Sequence, residues 1–362
     1  MQTSKNYLFN YLANELRPMF KRQYLREDIG AAIAVAFVAI PLSLAVALAT
    51  GVAPQVALIS AVIGGILGAV FGGSRLGITG PAVAMSVLLA GVLQDFGFAG
   101  LLIVGLICGL LQISLGILKL GRIAKYIPLS LVLAFTAGIG FLLFFEQLPY
   151  AFQIAGQTNN TITQTYSNLH LYAHHVSSAG FGLAALTIAI LTIVPRFLPR
   201  AYAFFFAVLI PMTLAHVTNI SVATVGMLPH DIFHPTVIDF NLINDWPKLA
   251  LTGLEVFILA SLETLLSLSA VDLMGKGDLH NPSQELIGQG VANIGVALFG
   301  GIPVSGIVAR SSVNVLAGAK TRRAAIFHAL IILIVVYCVP QLIEMMPVAV
   351  LSGILIAAAF KM

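Results

Sequence analysis

Apolar residues run along this chain in blocks of about 20, the length a helix needs to cross the hydrocarbon core of a bilayer, separated by short polar or Gly/Pro-marked breaks. The pattern predicts helical spans over 29–49, 54–71, 79–94, 98–118, 127–148, 179–195, 201–217, 249–272, 284–300, 304–318, 323–340 and 347–360. An all-α polytopic membrane protein is the expected fold class. Two polar and aromatic connections, 149–178 and 218–248, interrupt the series. Residues 1–28 are polar and basic and lead into an apolar run with no small-residue cleavage site. They read as a cytosolic arm at the membrane interface, not as a signal peptide.

Charge orients the spans. With the N-terminus in the cytosol, Arg75, Lys119, Arg122, Lys125, Arg196, Arg200, Lys276, Lys320, Arg322, Arg323 and Lys361 all fall on the cytosolic side. On the other side Lys248 is alone among Asp95, Asp231, Asp239, Asp245 and Glu344. The positive-inside rule expects this asymmetry. It also accounts for a pI of about 9.1 through loops facing anionic lipid, so no nucleic-acid partner is implied. A multi-pass protein of the plasma membrane follows, in a bacterium the inner membrane. Five of the eight histidines (170, 174, 175, 230 and 234) lie in the two external connections; the pair His174-His175 has no Cys or acidic ligand beside it, and a solvated loop is the reading rather than a metal site. Cys108 and Cys338 both sit in apolar runs and are expected to be small buried hydrophobes.

The chain has an internal echo. FGGSRLGITGPAVAMSVLLAG, from Phe71, passes from a Gly-rich turn through a short β-type stretch into a helix beginning near Gly80-Pro81. FGGIPVSGIVARSSVNVLAGA, from Phe299, repeats that scheme. Seven spans precede the 218–248 linker, and an odd number inverts the second copy. The expected organisation is a first repeat over 29–217 and a second over 249–362. Two half-helices would meet at the midplane with their positive ends converging on one cavity, which suits an anion. Close packing alone is the reading for GGILG at 64–68 and GLICGLLQ at 105–112.

Two ionisable residues stand out, since only 9% of residues are charged against 59% apolar. Arg310 lies inside the second broken segment and Glu263 in FILASLETLLSLSAV. A cation at a helix centre costs about 2.5–3.5 kcal/mol or more, so such residues face a cavity or a partner and mark a substrate path. Glu263 has two readings: a carboxylate coupling a cation to the anion, or the structural ion-pair partner of Arg310. Glu255 and Asp272 lie toward the ends of the same span, and Glu285 reads as a capping residue after Asn281 or Ser283. No HExxH, GxSxG or P-loop pattern is present, and the expected protein is not an enzyme.

Four stretches carry a resemblance: DIGAAIAVAFVAIPLSLAVALATGVAPQVAL (28–58), FGGSRLGITGPAVAMSVL (71–88), the block 262–322 beginning LETLLSLSAVDLMGKGDLHNPSQEL, and MPVAVLSGILI (346–356). The chain resembles the membrane domain of the SulP family, the sulfate permeases and anion exchangers whose animal branch includes pendrin and prestin. That resemblance implies two inverted seven-span repeats, a core domain moving against a gate domain, and an anion held between the third and tenth spans. It maps the anion site to Gly80, Pro81, Ala82, Val83, Val308, Ala309, Arg310 and Ser311, flanked by Pro41, Leu42 and Val46. It places ion coupling to H+ or Na+ at Glu263, with Ser267 one turn on. Leu42 stands where many members have Gln, and Ala309 where Ser often precedes the arginine, so side-chain hydrogen bonds to substrate are fewer.

The expected function is therefore coupled symport of an anion of the sulfate, bicarbonate or dicarboxylate class by alternating access, with no cofactor and a homodimer as the implied assembly. The competitors are an uncoupled exchanger or channel on the same fold, and a nucleobase or anion carrier of a sister family. Twelve spans make the second repeat five spans long where the family has seven, and no STAS domain follows. The expectation is a fragment or a divergent short form.

Overall fold

The computed structural model describes residues 22–121, 129–154, 177–229, 232–274 and 279–361. The arm over 1–21, the connection bearing His170, His174 and His175, the pair His230 and Asp231, and Arg122, Lys125 and Lys276 lie outside the described residues. The helices are α1 (Leu25–Thr50), α2 (Pro54–Phe71), α3 (Val83–Ile117), α4 (Leu129–Ala151), α5 (Ser178–Ile193), α6 (Arg200–Val217), α7 (Trp246–Met274), α8 (Pro282–Leu298), α9 (Val308–Leu316), α10 (Arg323–Cys338), α11 (Pro340–Glu344) and α12 (Val348–Ala359). Among the described residues five are long and apolar enough to cross a bilayer (α1, α2, α3, α7, and α5 with its short 3-10 extension), and α6, α10 and α12 are shorter apolar helices.

Local chemistry sets the boundaries. α1 stops where Gly51 turns left-handed (φ 79°) and its N–H reaches the carbonyls of Ala47 and Leu48. α2 opens with Pro54 at its first position, where a missing N–H costs nothing. Inside α3, Gly97 adopts φ 67° and ψ −167°, which divides the helix where the sequence predicts a break between 94 and 98. The third and tenth spans begin later than expected. Thr79–Gly80 (β1) and Ser305–Gly306 (β2) pair as a two-residue antiparallel ladder, Thr79 opposite Gly306 and Gly80 opposite Ser305. The helices that follow therefore start at Val83 and Val308, not at 79 and 304.

Small residues let α8 press against α3 and α2. A Cβ on Gly109 would sit 2.7 Å from the carbonyl oxygen of Gly290, and one on Gly290 would strike the carbonyl of Gly109. Gly288 meets the Gly72 backbone in the same way. Because backbone cannot yield as a flexible side chain does, Gly290→Val is expected to destabilise the protein by about 1–3 kcal/mol through overpacking, read as a lower melting temperature in detergent. An Ala substitution at Gly138, where a Cβ meets nothing within 4 Å, is the matched control.

Polar clamps tie the turns together at one end of the molecule. Asp28, wholly buried, accepts from the N–H groups of Lys320 (2.9 Å) and Thr321 (3.0 Å), from Thr321 Oγ1 (2.7 Å) and from Arg323 Nε (3.0 Å). Arg323 Nη2 completes an ion pair with it at 3.0 Å. Arg322 donates through Nη1 to the carbonyls of Ala69 (2.9 Å) and Gly72 (2.8 Å), closing the end of α2. These arginines are buried, so only part of the basic asymmetry read from the sequence belongs to loop surface. Near the start of α7, Lys248 pairs with Asp95 at 2.9 Å with both side chains half exposed.

Two expectations need correction. Asn281, not Glu285, caps α8, its Oδ1 accepting from Ser283 and Gln284 N–H at 3.2 Å each. Glu285 instead accepts from the N–H groups of Gly73 (2.7 Å) and Ser74 (2.9 Å), satisfying the turn after α2 across 212 residues of chain. Cys108 is buried as expected, but Cys338 is exposed at the outer face of α10 beside the exposed Ile334 and Tyr337. Apolar sequence does not distinguish a core-facing from a lipid-facing side chain.

Candidate functional site

The irregular backbone at 72–82 and 299–307 must find hydrogen-bond partners inside the protein, because lipid offers none. Side chains of neighbouring helices supply them. Gly306 N–H donates to Thr264 Oγ1 of α7 (2.8 Å), and Ile302 N–H donates to Ser60 Oγ of α2 (2.8 Å). Asn293 of α8 brackets Val304, accepting its N–H at 2.7 Å and donating to its carbonyl at 3.1 Å, while its amide also reaches Gln112 of α3 (2.9 Å). Gln289 Nε2 donates to Thr79 Oγ1 (2.7 Å) and to Glu285 Oε1 (2.8 Å). Ile307 N–H reaches the Ile78 carbonyl (3.0 Å), and Asn314 Nδ2 that of Leu76 (2.9 Å).

With the strands held this way, two helices leave one crossing. The residues at their N-caps, Ala82 and Ile307, provide no side-chain cap. The first N–H groups of α3 and α9 have no intrahelical partner, and each helix carries about half a positive charge at this end. Val308 (40% exposed) and Ala309 stand open at the mouth of α9, with Val83 half-buried at the start of α3.

Arg310 lies behind them with no exposed surface. Its Nη2 donates to Ser43 Oγ of α1 (3.1 Å) and to the Pro81 carbonyl (3.2 Å). Its Nε and Nη1 have no hydrogen-bond partner among the described residues. Gly80 makes room for it, since a Cβ there would collide with Nη1. Pro41, Leu42 and Val46 are buried on the adjoining stretch of α1. The crossing thus brings together Gly80, Pro81, Ala82, Val83, Val308, Ala309 and Arg310. Ser311 faces away from that mouth: its Oγ accepts from Ile78 N–H (2.8 Å) and its own N–H from the helix goes to Ile307 O (3.0 Å), so it fastens β1 to α9.

Glu263 is half-buried and accepts from Ser305 Oγ at 2.8 Å. Among the described residues it forms no ion pair with Arg310, whose bonds go to Ser43 and Pro81. Ser267 is buried one turn further along α7. Ser43, Thr264, Ser305 and the amides of Gln112, Gln289 and Asn293 were not singled out by the sequence pattern. The signal for them was present, since amide and hydroxyl side chains in apolar spans mark interhelical hydrogen bonds.

Comparison with known proteins extends this picture. The model of the sulfate permease family matches residues 25–362. A putative sulfate transporter, YvdB of Bacillus subtilis, is 32% identical over 308 residues, covering 80% of this chain and 56% of that protein. The bicarbonate transporter BicA of Picosynechococcus sp. is 28% identical, covering 80% of this chain and 52% of its own length. The chain spans about half the length of these curated relatives. Among solved structures, the transmembrane domain of a cyanobacterial BicA superposes with a TM-score of 0.88 at 24% identity, covering 94% of this chain and 90% of that one. SLC26A9 does so with 0.87 at 16% identity, covering 99% and 62%. At these identities the structural likeness speaks to the fold, a mostly helical multi-pass membrane architecture shared with both. Matched along nearly its whole length by the family model, this chain belongs to the sulfate permease family.

Proposed function

We propose that the chain is the transport domain of a secondary anion transporter, with a small oxyanion or carboxylate of the sulfate, bicarbonate or dicarboxylate class bound where α3 and α9 begin. The observation that carries this reading is the fully buried Arg310, with Nε and Nη1 unsatisfied, behind two uncapped helix starts. Burying a guanidinium without satisfying it is costly, and an anion in the crossing offsets that cost through charge and through the free N–H groups. The names of the relatives point to the same class of substrate.

The finer reading is coupled symport. Glu263 accepts a hydrogen bond from β2, on which α9 is built, so a cation or proton taken up there acts on the strand that positions the anion. The anion site proper consists of Gly80, Pro81, Ala82, Val83, Val308, Ala309 and Arg310, with Leu42 and Val46 at its side. Residues 29–217 and 249–362 are the two inverted repeats joined by 218–248, moving by alternating access. The N-terminus lies in the cytosol, the membrane is the plasma membrane, and the working assembly is a homodimer.

Proteoliposome uptake of labelled sulfate, bicarbonate and fumarate, with and without an inward Na+ or H+ gradient, tests this. Glu263→Gln keeps an oxygen for Ser305, so the fold is retained, and gradient-driven accumulation is expected to fall at least about tenfold. Flux that ignores both gradients and the substitution would instead make the protein an uncoupled exchanger or channel.

A further inference from the structure

A cavity of ≈ 480 Å³ opens between the end of α1, the first half of α3 and the end of α4, apart from the α3/α9 crossing. Its polar lining is Thr50, Gln94, Glu146, Gln147 and Tyr150, and no Lys, Arg or His is among its lining residues. Gln147 has no exposed surface, and neither its Oε1 nor its Nε2 has a hydrogen-bond partner among the described residues. Thr50, 1% exposed, is in the same position through Oγ1. Buried polar atoms are costly to leave unsatisfied, so the oxygens Gln147 Oε1 and Thr50 Oγ1, on residues lining one cavity, point to a ligand that completes them.

The sign of that ligand follows from the surroundings. Glu146 brings a carboxylate into the lining. α1 ends here, and of its last carbonyls Ala47 and Leu48 accept from Gly51, whereas those of Ala49 and Thr50 have no backbone donor among the described residues. A helix C-terminus is the negative end of its dipole. Anionic and oxygen-rich, with a single carboxylate, the site suits one positive charge; a divalent ion is held by more carboxylates than this.

We infer that Thr50, Glu146 and Gln147 form a binding site for a monovalent cation at the end of α1, separate from Glu263. The site joins elements that otherwise meet sparingly, because α4 packs mainly on α12 and little on α1 or α3. It also lies one helical turn, about 6 Å, beyond Val46 at the side of the proposed anion site. A cation bound here neutralises Glu146 and bridges α1 to α4. The inference stands on residues distinct from those of the transport reading.

The test is thermal unfolding of the full purified chain at fixed ionic strength, replacing choline chloride by NaCl or KCl with no oxyanion present. A ligand that binds the folded state raises its melting temperature in proportion to ln(1 + [L]/Kd). In the wild type, Na+ or K+ is expected to raise the melting temperature above choline. In Glu146→Gln the cation concentration for a given shift is expected to rise at least about tenfold, equivalent to the loss of about 1.4 kcal/mol. Gln147→Leu and Thr50→Val are expected to weaken the response as well, and the part of the response that Glu146→Gln removes is expected to persist in the Glu263→Gln background. No cation response in the wild type, a response unchanged in Glu146→Gln and in both other lining variants, or one lost only in Glu263→Gln would each overturn the inference. Because the readout requires no transport, absent anion uptake would count against the proposed function and not against this site.

Discussion

Replacing Arg310 with alanine is expected to lower anion uptake at least about a hundredfold while leaving a folded protein. Truncating one member of a buried charge pair typically costs 2–5 kcal/mol, and about 2.8 kcal/mol corresponds to that factor. The anion would be the other member of the pair. Stability should suffer less, since the substitution also removes two buried nitrogens that have no hydrogen-bond partner among the described residues, and Ser43 keeps its bond to the Ala39 carbonyl at 2.7 Å. Gly80→Val probes the same socket with the charge kept, because a side chain there occupies the position of Nη1 and forces the guanidinium to move. Uptake and melting temperature measured on both variants separate the roles. Uptake within twofold of wild type in Arg310→Ala would remove the central premise of the proposed site.

The largest loss of stability is expected at Asp28. Its carboxylate is the common acceptor for two backbone N–H groups, one hydroxyl and the Arg323 guanidinium, all within 2.7–3.0 Å. Asp28→Ala takes the carboxylate acceptor away from a buried cation and two N–H groups. The cost is about 3–5 kcal/mol, the range seen when one member of a buried pair is removed. Asp28→Asn retains one acceptor oxygen and should fall between the two. Thermal unfolding in detergent measures both, and a change below about 1 kcal/mol in the alanine variant would show that the clamp contributes little.

Much of the helix layout was legible because hydropathy and backbone breakers coincide. α2 was predicted over 54–71 and is found over Pro54–Phe71, with a proline at one boundary and two glycines after the other. The divide in α3 was visible for the same reason, through Gly97. What escaped were contacts between distant segments. Nothing local in QELIGQ tells that Glu285 serves Gly73 and Ser74, nor that Ser43 holds Arg310 across 267 residues. The two-residue ladder is likewise too short to have a period, and side chains from other helices brace it: Gln289 bonds Thr79, Thr264 bonds Gly306 and Asn293 bonds the adjoining Val304. The two motif segments, Gly80 to Val83 and Val308 to Arg310, lie against each other in the fold, whereas the polar scaffold around them belongs to helices whose sequences advertise only packing.

The clamp at Asp28 also bears on how the protein is made. Its partners lie 292 to 295 residues further along the chain. At a synthesis rate of about 5–20 residues per second, roughly 15–60 s pass between the emergence of Asp28 and that of Arg323. For that interval the carboxylate has neither its salt bridge nor its backbone donors, so the start of α1 must stay at the aqueous border until Thr321 and Arg323 arrive. β1 waits in the same way for β2, because Gly80 cannot pair before Ser305 has been inserted. The crossing at the centre of the molecule is therefore among the last features to assemble, and a ribosome stalled before Ser305 would leave a protein with most of its spans in the membrane and no finished site.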